Sequence, residues 1–340
     1  DVTLDAFHLD GRSVKLSATG GDKAGVVAVD WQVALSDLSA IAALVAGTVS
    51  AHGHLAGPPD DLALTAEADG LVAIAGAAKE KLSVSLRAQG LPAAPSGTIT
   101  AQGRLAGAPL DLVAAVSRLA DGTLELALDR LQWKSAAGHG KLTLAPGAAL
   151  PLGQMQVRVA RLGDLAPLIG VTAGGSASAT LDTALVRGTP QVRIRAEMQR
   201  LAIGGAGADR VIVEARVDDP AAHPILALTA DAQGLRQAGI TGSARLTANG
   251  PPQSLALGLT SRLQTPQGPA ALSAAATLRW PQHELQLASL HADYAGETAR
   301  LLAPARIAFA KGVALDNLRL GVGGAVVSLA GRITPALALT

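Results

Sequence analysis

Gly47-Thr48-Val49-Ser50-Ala51-His52-Gly53-His54-Leu55-Ala56-Gly57-Pro58-Pro59 is answered fifty residues later by Gly97-Thr98-Ile99-Thr100-Ala101-Gln102-Gly103-Arg104-Leu105-Ala106-Gly107-Ala108-Pro109. Each copy alternates an apolar or small residue with a polar one, then turns on Gly and Pro. That is the pattern of a half-buried strand followed by a tight turn. One face holds Val49, Ala51, Gly53 and Leu55, matched by Ile99, Ala101, Gly103 and Leu105. The other face changes freely, from His52 and His54 to Gln102 and Arg104. Repetition at a fixed period points to an architecture built by stacking one unit. A third, weaker copy runs from Gly242 to Pro252.

The same two-residue alternation recurs along the chain. Val27, Val29, Trp31, Val33 and Leu35 face one way, with Asp30, Gln32 and Ala34 between them. Leu82, Val84 and Leu86 alternate with Ser83, Ser85 and Arg87; Leu124, Leu126 and Leu128 with Glu125, Ala127 and Asp129. Val192 and Ile194 open a further run, followed by Val211 and Val213, then Leu255 and Leu257, then Leu318 and Leu320. Breaks fall at Gly, Pro and Asp clusters such as Gly57-Pro58-Pro59-Asp60-Asp61, Asp218-Asp219-Pro220 and Gly250-Pro251-Pro252. Their spacing is that of successive antiparallel strands. Only two places read as helical, near 36–46 and 163–170. There Leu35-Ser36-Asp37-Leu38 and Leu162-Gly163-Asp164-Leu165 each put an Asp before a short apolar turn, an N-cap signal. The expectation is an all-β chain, one continuous repetitive segment over 1–340, with a sub-boundary near 162–175.

Composition narrows the function. The 340 residues are 49% hydrophobic but only 2% aromatic, so the apolar material is mostly Ala, Leu and Val, which suits thin layers better than a large closed core. The net charge is +1 and the signs are interspersed, as in Arg193-Ile194-Arg195-Ala196-Glu197; without a basic stripe interleaved with aromatics, nucleic acid is not an expected partner. The absence of cysteine removes disulfides, thiolate metal sites and cysteine nucleophiles. No apolar run is long enough to form a spanning helix. The chain begins at Asp1 and reads as an internal segment of a longer one, with any membrane anchor outside it.

The combination resembles the TamB family, within the AsmA-like envelope proteins. The resemblance is carried by Leu162-Gly163-Asp164-Leu165-Ala166-Pro167-Leu168-Ile169-Gly170, by Gly174-Gly175-Ser176-Ala177-Ser178-Ala179-Thr180-Leu181, by the paired Gly-Thr-(Val/Ile) strands, and by Gly331-Arg332-Ile333-Thr334-Pro335-Ala336-Leu337. It implies a long β-sheet curled into a trough (a β-taco) with an apolar interior. It also implies a periplasmic segment of an inner-membrane-anchored protein and a non-enzymatic conduit for phospholipid toward the outer membrane. A barrel partner resembling TamA, and a link to barrel or autotransporter assembly, would act through parts of the protein outside this segment. No cofactor is implied.

Physical reasoning leads to the same expectation. About twenty strands at about 4.8 Å each would give a sheet about 100 Å long, and about six residues per strand an apolar face on the order of 2,000 Å². A typical monomer exposes a largest apolar patch of about 300–600 Å². Such a face must close on itself, bind a partner or hold an apolar ligand. Bringing an acyl chain of about sixteen carbons into water costs about 13 kcal/mol, most of which a continuous apolar lining removes. Small inward residues such as Ala101 and Gly103 are expected to leave room for it. The alternative is a structural or adhesive β-solenoid whose apolar face forms an ordinary closed core.

The remaining signals have plainer readings. His52 and His54 make a metal pair conceivable, but Gln102 and Arg104 replace them in the twin, which favours a solvated face. Asp60-Asp61 and Asp218-Asp219 lie in Pro-containing turns, where Asp is favoured anyway. No Ser sits in a Gly-x-Ser-x-Gly elbow, and Gly20-Gly21-Asp22-Lys23-Ala24-Gly25 lacks the phosphate-loop ending. Trp31, Trp133 and Trp280 are expected to fill sheet ends, and Met155 and Met198 to fill gaps.

Overall fold

A computed structural model describes residues 2–40, 45–74, 76–309, 312–333 and 337–339. The chain is all-β, and every strand pairing within its two units is antiparallel between consecutive or near-consecutive strands. The units are Asp1–Thr172 and Ala173–Thr340.

The first unit opens with β1 (Val2–Asp10), β2 (Val14–Lys23), β3 (Val26–Leu35) and β4 (Val45–Gly57). It continues with β5 (Asp61–Ile74), β6 (Glu80–Pro92), β7 (Ser96–Leu105) and β8 (Ala108–Arg118). It closes with β9 (Leu124–Trp133), β10 (Ala136–Leu144) and β11 (Leu152–Val159). Each strand pairs with the next, so eleven strands at about 4.8 Å make a ladder about 50 Å long.

The second unit repeats the plan. It runs through β12 (Ala173–Val186), β13 (Thr189–Ile203), β14 (Ala206–Asp218), β15 (Ile225–Gln237), β16 (Ile240–Gly250) and β17 (Leu255–Thr265). Then follow β18 (Gly268–Arg279), β19 (Glu284–Tyr294), β20 (Glu297–Leu301), β21 (Ala305–Ala308), β22 (Val313–Val322), β23 (Ala325–Ile333) and β24 (Leu337–Leu339). Both β20 and β21 lie between β19 and β22, sharing one ladder position. Pro304, which has no N–H to donate, lies in the break between them.

Most strands have nine to fifteen residues, not the six expected, so each face is wider than the sequence suggested. The hairpins explain why. Ala24-Gly25, Ala106-Gly107, Arg187-Gly188 and Ala238-Gly239 each have positive φ at both positions. This is the two-residue turn whose twist matches the flanking strands, so pairing continues up to the turn.

Helical structure is confined to single turns. Leu38–Ala40 and Leu162–Leu165 are 3₁₀ turns, and Ala166–Ile169 is one α-turn ended by Gly170 at φ 68°. They fall at the two places expected to be helical, but both are shorter than expected: Val45 and Ala46 of the first stretch already belong to β4, and residues 41–44 lie outside the described residues; a third 3₁₀ turn, Trp280–Gln282, was not expected.

The fifty-residue echo is not a stacked unit. Its copies occupy β4 and β7, three steps apart in an antiparallel ladder, and therefore run in opposite directions. Gly103 falls in the same cross-strand row as Val49, and Gly97 in the row of Leu55. The faces are preserved but the ends are exchanged. Leu105 is buried at one rim, while Leu55 is half-buried at the other.

Candidate functional site

Register sorts the side chains of each unit into two faces. In the first unit the row Val33–Ala51–Ala68–Val84–Ala101–Leu112–Leu131 is apolar from β3 to β9. Beside it run Trp31–Gly53–Ala66–Leu86–Ile99–Ala114–Leu128 and Val29–Leu55–Leu64–Ala88–Gly97–Val116–Leu126. Val49 and Leu82 lie in the next row, with Leu105 and Leu124 beyond the row ends on the same face. In the second unit Val192 pairs with Val217 and Ile194 with Ala215. Val213 connects through Ala230 and Leu246 to Leu259, on the face of Leu255 and Leu257, and Val211 connects through Ala232 and Ala244 to Ser261 in the adjoining row. Leu318 and Leu320 lie on the same face, opposite Leu329 and Val327. Within each unit, all the lining residues named from the sequence share one face.

The alternation is repaired where sequence parity fails. A bulge at Asp129–Arg130 puts Leu128 and Leu131 on one face although they are three residues apart. An extra residue at Ala288 does the same for Leu287 and Leu290, and Asn317, at φ 50°, does so for Leu315 and Leu318. Each bulge re-aims the strand back onto the apolar side.

The opposite face is polar and ionically paired across strands. His54 Nδ1 lies 2.7 Å from Asp30 and His52 Nε2 lies 3.8 Å from Glu67, so both histidines face carboxylates and water. Among the described residues no cluster of three His, Asp or Glu could hold a metal. Lys141 meets Glu125 at 2.7 Å and Arg245 meets Asp231 at 2.5 Å, raising the Arg245 pKa further. Hydrogen bonds from Arg210 and Gln199 hold the Glu197 carboxyl below its usual range. Glu80 is held low first by the Gly107 N–H, which donates to it at 2.7 Å, then by Arg104, tying β6 to the β7–β8 turn. Exposed pairs of this kind contribute little to stability and serve mainly to keep this face wet. Shallow hollows of about 480 Å³ lie between its long side chains, one among Asp231, Arg245, Arg262 and His291, another among His8, Lys15, Gln32 and His52.

The apolar face is only partly covered. Ile99 is 41% exposed, Leu126 48% and Ile194 42%, and no described side chain is fully buried. The chain exposes 19856 Å², whereas two separate compact units of half its 34.0 kDa would together expose about 15,000 Å². In the second unit Ala248 and Ala305 are buried on this face, and in the first unit one rim is closed. Val72, Leu105 and Trp133 form a buried cluster against which Leu38 and Leu165 of the two 3₁₀ turns pack. These residues come from β5, β7 and β9, which are not neighbours, so the sheet bends toward its apolar side there. Trp133 Nε1 donates to the Leu105 carbonyl at 2.8 Å, satisfying the indole as it is buried.

Two expectations are corrected here. Of the tryptophans, Trp133 fills a sheet end, but Trp31 lies mid-face and Trp280 is 59% exposed on a turn. The inward glycines are not simply open space: backbone of the neighbouring strand closes on Gly103, and neighbouring side chains lie over Gly53, Gly70 and Gly140. A Cβ at Gly53 would collide with the Trp31 indole and lie 2.5 Å from the Thr65 carbonyl oxygen. One at Gly70 would lie 2.6 Å from Val49 Cγ2, and one at Gly140 2.6 Å from Met155 Sδ. Because Thr65 O is backbone, Gly53→Ala is expected to cost about 1–3 kcal/mol of stability, read from a denaturant midpoint. An unchanged midpoint would show that Trp31 and β5 shift freely.

No protein-family model matches the chain, and no curated protein matches it. Among the described residues no helix is long and apolar enough to cross a membrane.

Proposed function

We propose that this chain is a non-enzymatic conduit for phospholipid, its sheet curled into a trough along which acyl chains lie while headgroups stay in water. In keeping with the resemblance to the TamB family, we place it in the periplasm as part of an inner-membrane-anchored protein. There it would carry lipid toward the outer membrane and support outer-membrane biogenesis. A barrel partner and any role in barrel assembly would belong to other parts of the protein.

The observation that carries this reading is the apolar face itself. It passes from strand to strand in register through each unit and stays partly exposed along most of its length; among the described residues it is buried at the Trp133 rim and at single small residues such as Ala248 and Ala305. By residue count that surface is on the order of 1,000 Å² per unit, above the about 300–600 Å² of an ordinary monomer. A structural or adhesive β-solenoid closed on an ordinary core would bury most of its leucines and valines; among the described ones only Val72, Leu105 and Val159 are buried. The polar face offers exposed, charge-paired hollows with mixed lining, a poor match for an enclosed small-molecule site.

The direct test is native mass spectrometry and thin-layer analysis of the purified chain. Co-purifying phospholipid is the expected result. A lipid-free chain that stays lipid-free after incubation with phospholipid vesicles would overturn the reading.

A further inference from the structure

The chain has only three Trp, two Phe and one Tyr. Two of these six meet at one corner of the second unit. Trp280 opens the 3₁₀ turn between β18 and β19, and Phe309 follows β21. With His283 between them, the ring centroids are 6.0 Å (Trp280–His283), 6.2 Å (Trp280–Phe309) and 5.8 Å (His283–Phe309) apart. Backbone bonds lock the corner: His283 N donates to Trp280 O at 3.0 Å, and Phe309 N donates to His283 O at 2.9 Å. Yet Trp280 is 59% exposed. Tyr294, by contrast, gives its hydroxyl to Gln267 at 3.1 Å.

Three features say what covers this corner. It continues the apolar face: the row Leu255–Leu278–Leu285–Ile307–Leu315 reaches the rim here, and Trp280 and Phe309 each follow a row member by two residues. Among the described residues its charges are balanced. Arg306 meets the buried Glu284 at 2.7 Å and Arg279 approaches it at 3.7 Å, with Asp316 opposite Arg306 in the ladder. Its rings are tilted by 35°, 49° and 75°, so they present no flat platform for stacking a sugar. An exposed, amphipathic indole beside an apolar phenyl, with a balanced charged surround, suits the interface of a phospholipid bilayer, where indoles favour the headgroup level.

We propose that the Trp280–His283–Phe309 corner docks the chain on a phospholipid bilayer. It also marks the rim where acyl chains pass between that bilayer and the apolar face; this second half rests on the conduit reading, the docking does not. Docking works by ring insertion, not by charge, so it is insensitive to salt.

The test uses vesicles of phosphatidylcholine and phosphatidylethanolamine carrying bromine on the acyl chain near the headgroup. Wild-type chain is expected to co-sediment equally at low and high salt, with quenched tryptophan emission. The Trp280→Ala/Phe309→Ala variant, folded by circular dichroism, is expected to lose at least about tenfold in vesicle affinity. Ile194→Asp is expected to dock normally while losing lipid capture. Full docking by the double variant, no docking by wild type, or docking abolished by salt would each overturn the proposal. Lipid capture by wild type without docking would overturn docking alone and leave the conduit reading standing.

Discussion

Ile194→Asp is expected to lower the phospholipid recovered with the chain about a hundredfold while leaving the fold intact. An aspartate on the lining denies contact to about four methylenes, and at about 0.8 kcal/mol each the loss is about 3 kcal/mol, or two decades in occupancy. The fold is spared because the position is 42% exposed, so the new carboxylate stays hydrated. Its cross-strand neighbours are only Leu181 and Ala215, and little packing is lost. Leu126→Arg, at 48% exposure, is the matching change in the first unit. Photo-crosslinking to labelled phospholipid, with circular dichroism as the fold control, reads both. Correctly folded variants that capture lipid as well as wild type would remove the basis for the trough.

The largest stability effect is expected at Trp133. It is 6% exposed, lies in the buried cluster with Val72 and Leu105 and donates to the Leu105 carbonyl. Truncation to Ala removes a large buried side chain and is expected to cost about 3–5 kcal/mol. That is a large part of the about 5–15 kcal/mol that holds an ordinary domain together. In a unit with few other buried side chains, the thermal midpoint should fall by about 10 °C at about 2–4 °C per kcal/mol. Trp31→Ala is the control: Trp31 is only half-buried, so a clearly smaller shift is expected. Equal shifts would mean that the Trp133 rim has no special role in stability.

Much of this was legible in the sequence because a strand has a period of two. Val29, Ile99, Leu126 and Ile194 could be assigned to a face without knowing which strands pair, since register keeps apolar positions opposite apolar ones. The two helical turns were legible through their leucine patterns, but the expected Asp cap holds only at the first: Asp37 accepts from Ser39 N, whereas Asp164 lies inside Leu162–Leu165, whose N-cap is Arg161. Bulges were not. Nothing local in Leu-Asp-Arg-Leu at 128–131 or in Leu-Ala-Ser-Leu at 287–290 says that one extra residue is absorbed there. Hairpins such as Ala106-Gly107 and Ala238-Gly239 were also hard to see, because their first residue is an alanine in the left-handed region instead of the Asn or Asp that usually marks it. The Trp280–Phe309 corner joins residues 29 apart, and only pairing of β19 with β21 brings them together. The glycine lining was misread for a related reason. What lies over Gly53 is decided by a residue on the neighbouring strand, Trp31, not by anything in its own segment.

The reversal of the fifty-residue echo bears on how such a chain can change length. Removing one fifty-residue period would delete three strands, and every strand after the cut would have to enter the ladder pointing the other way. Turning a strand about the sheet normal keeps its faces, so the apolar side would survive. Its loops, however, would change rims, and turns such as Leu162–Leu165 would leave the edge they now cap. Removing or duplicating two strands has no such consequence. Growth and shortening in lineages of this fold should therefore proceed by whole hairpins, each adding or taking away about 10 Å of ladder. A span set in this way is adjustable only in increments of two strands.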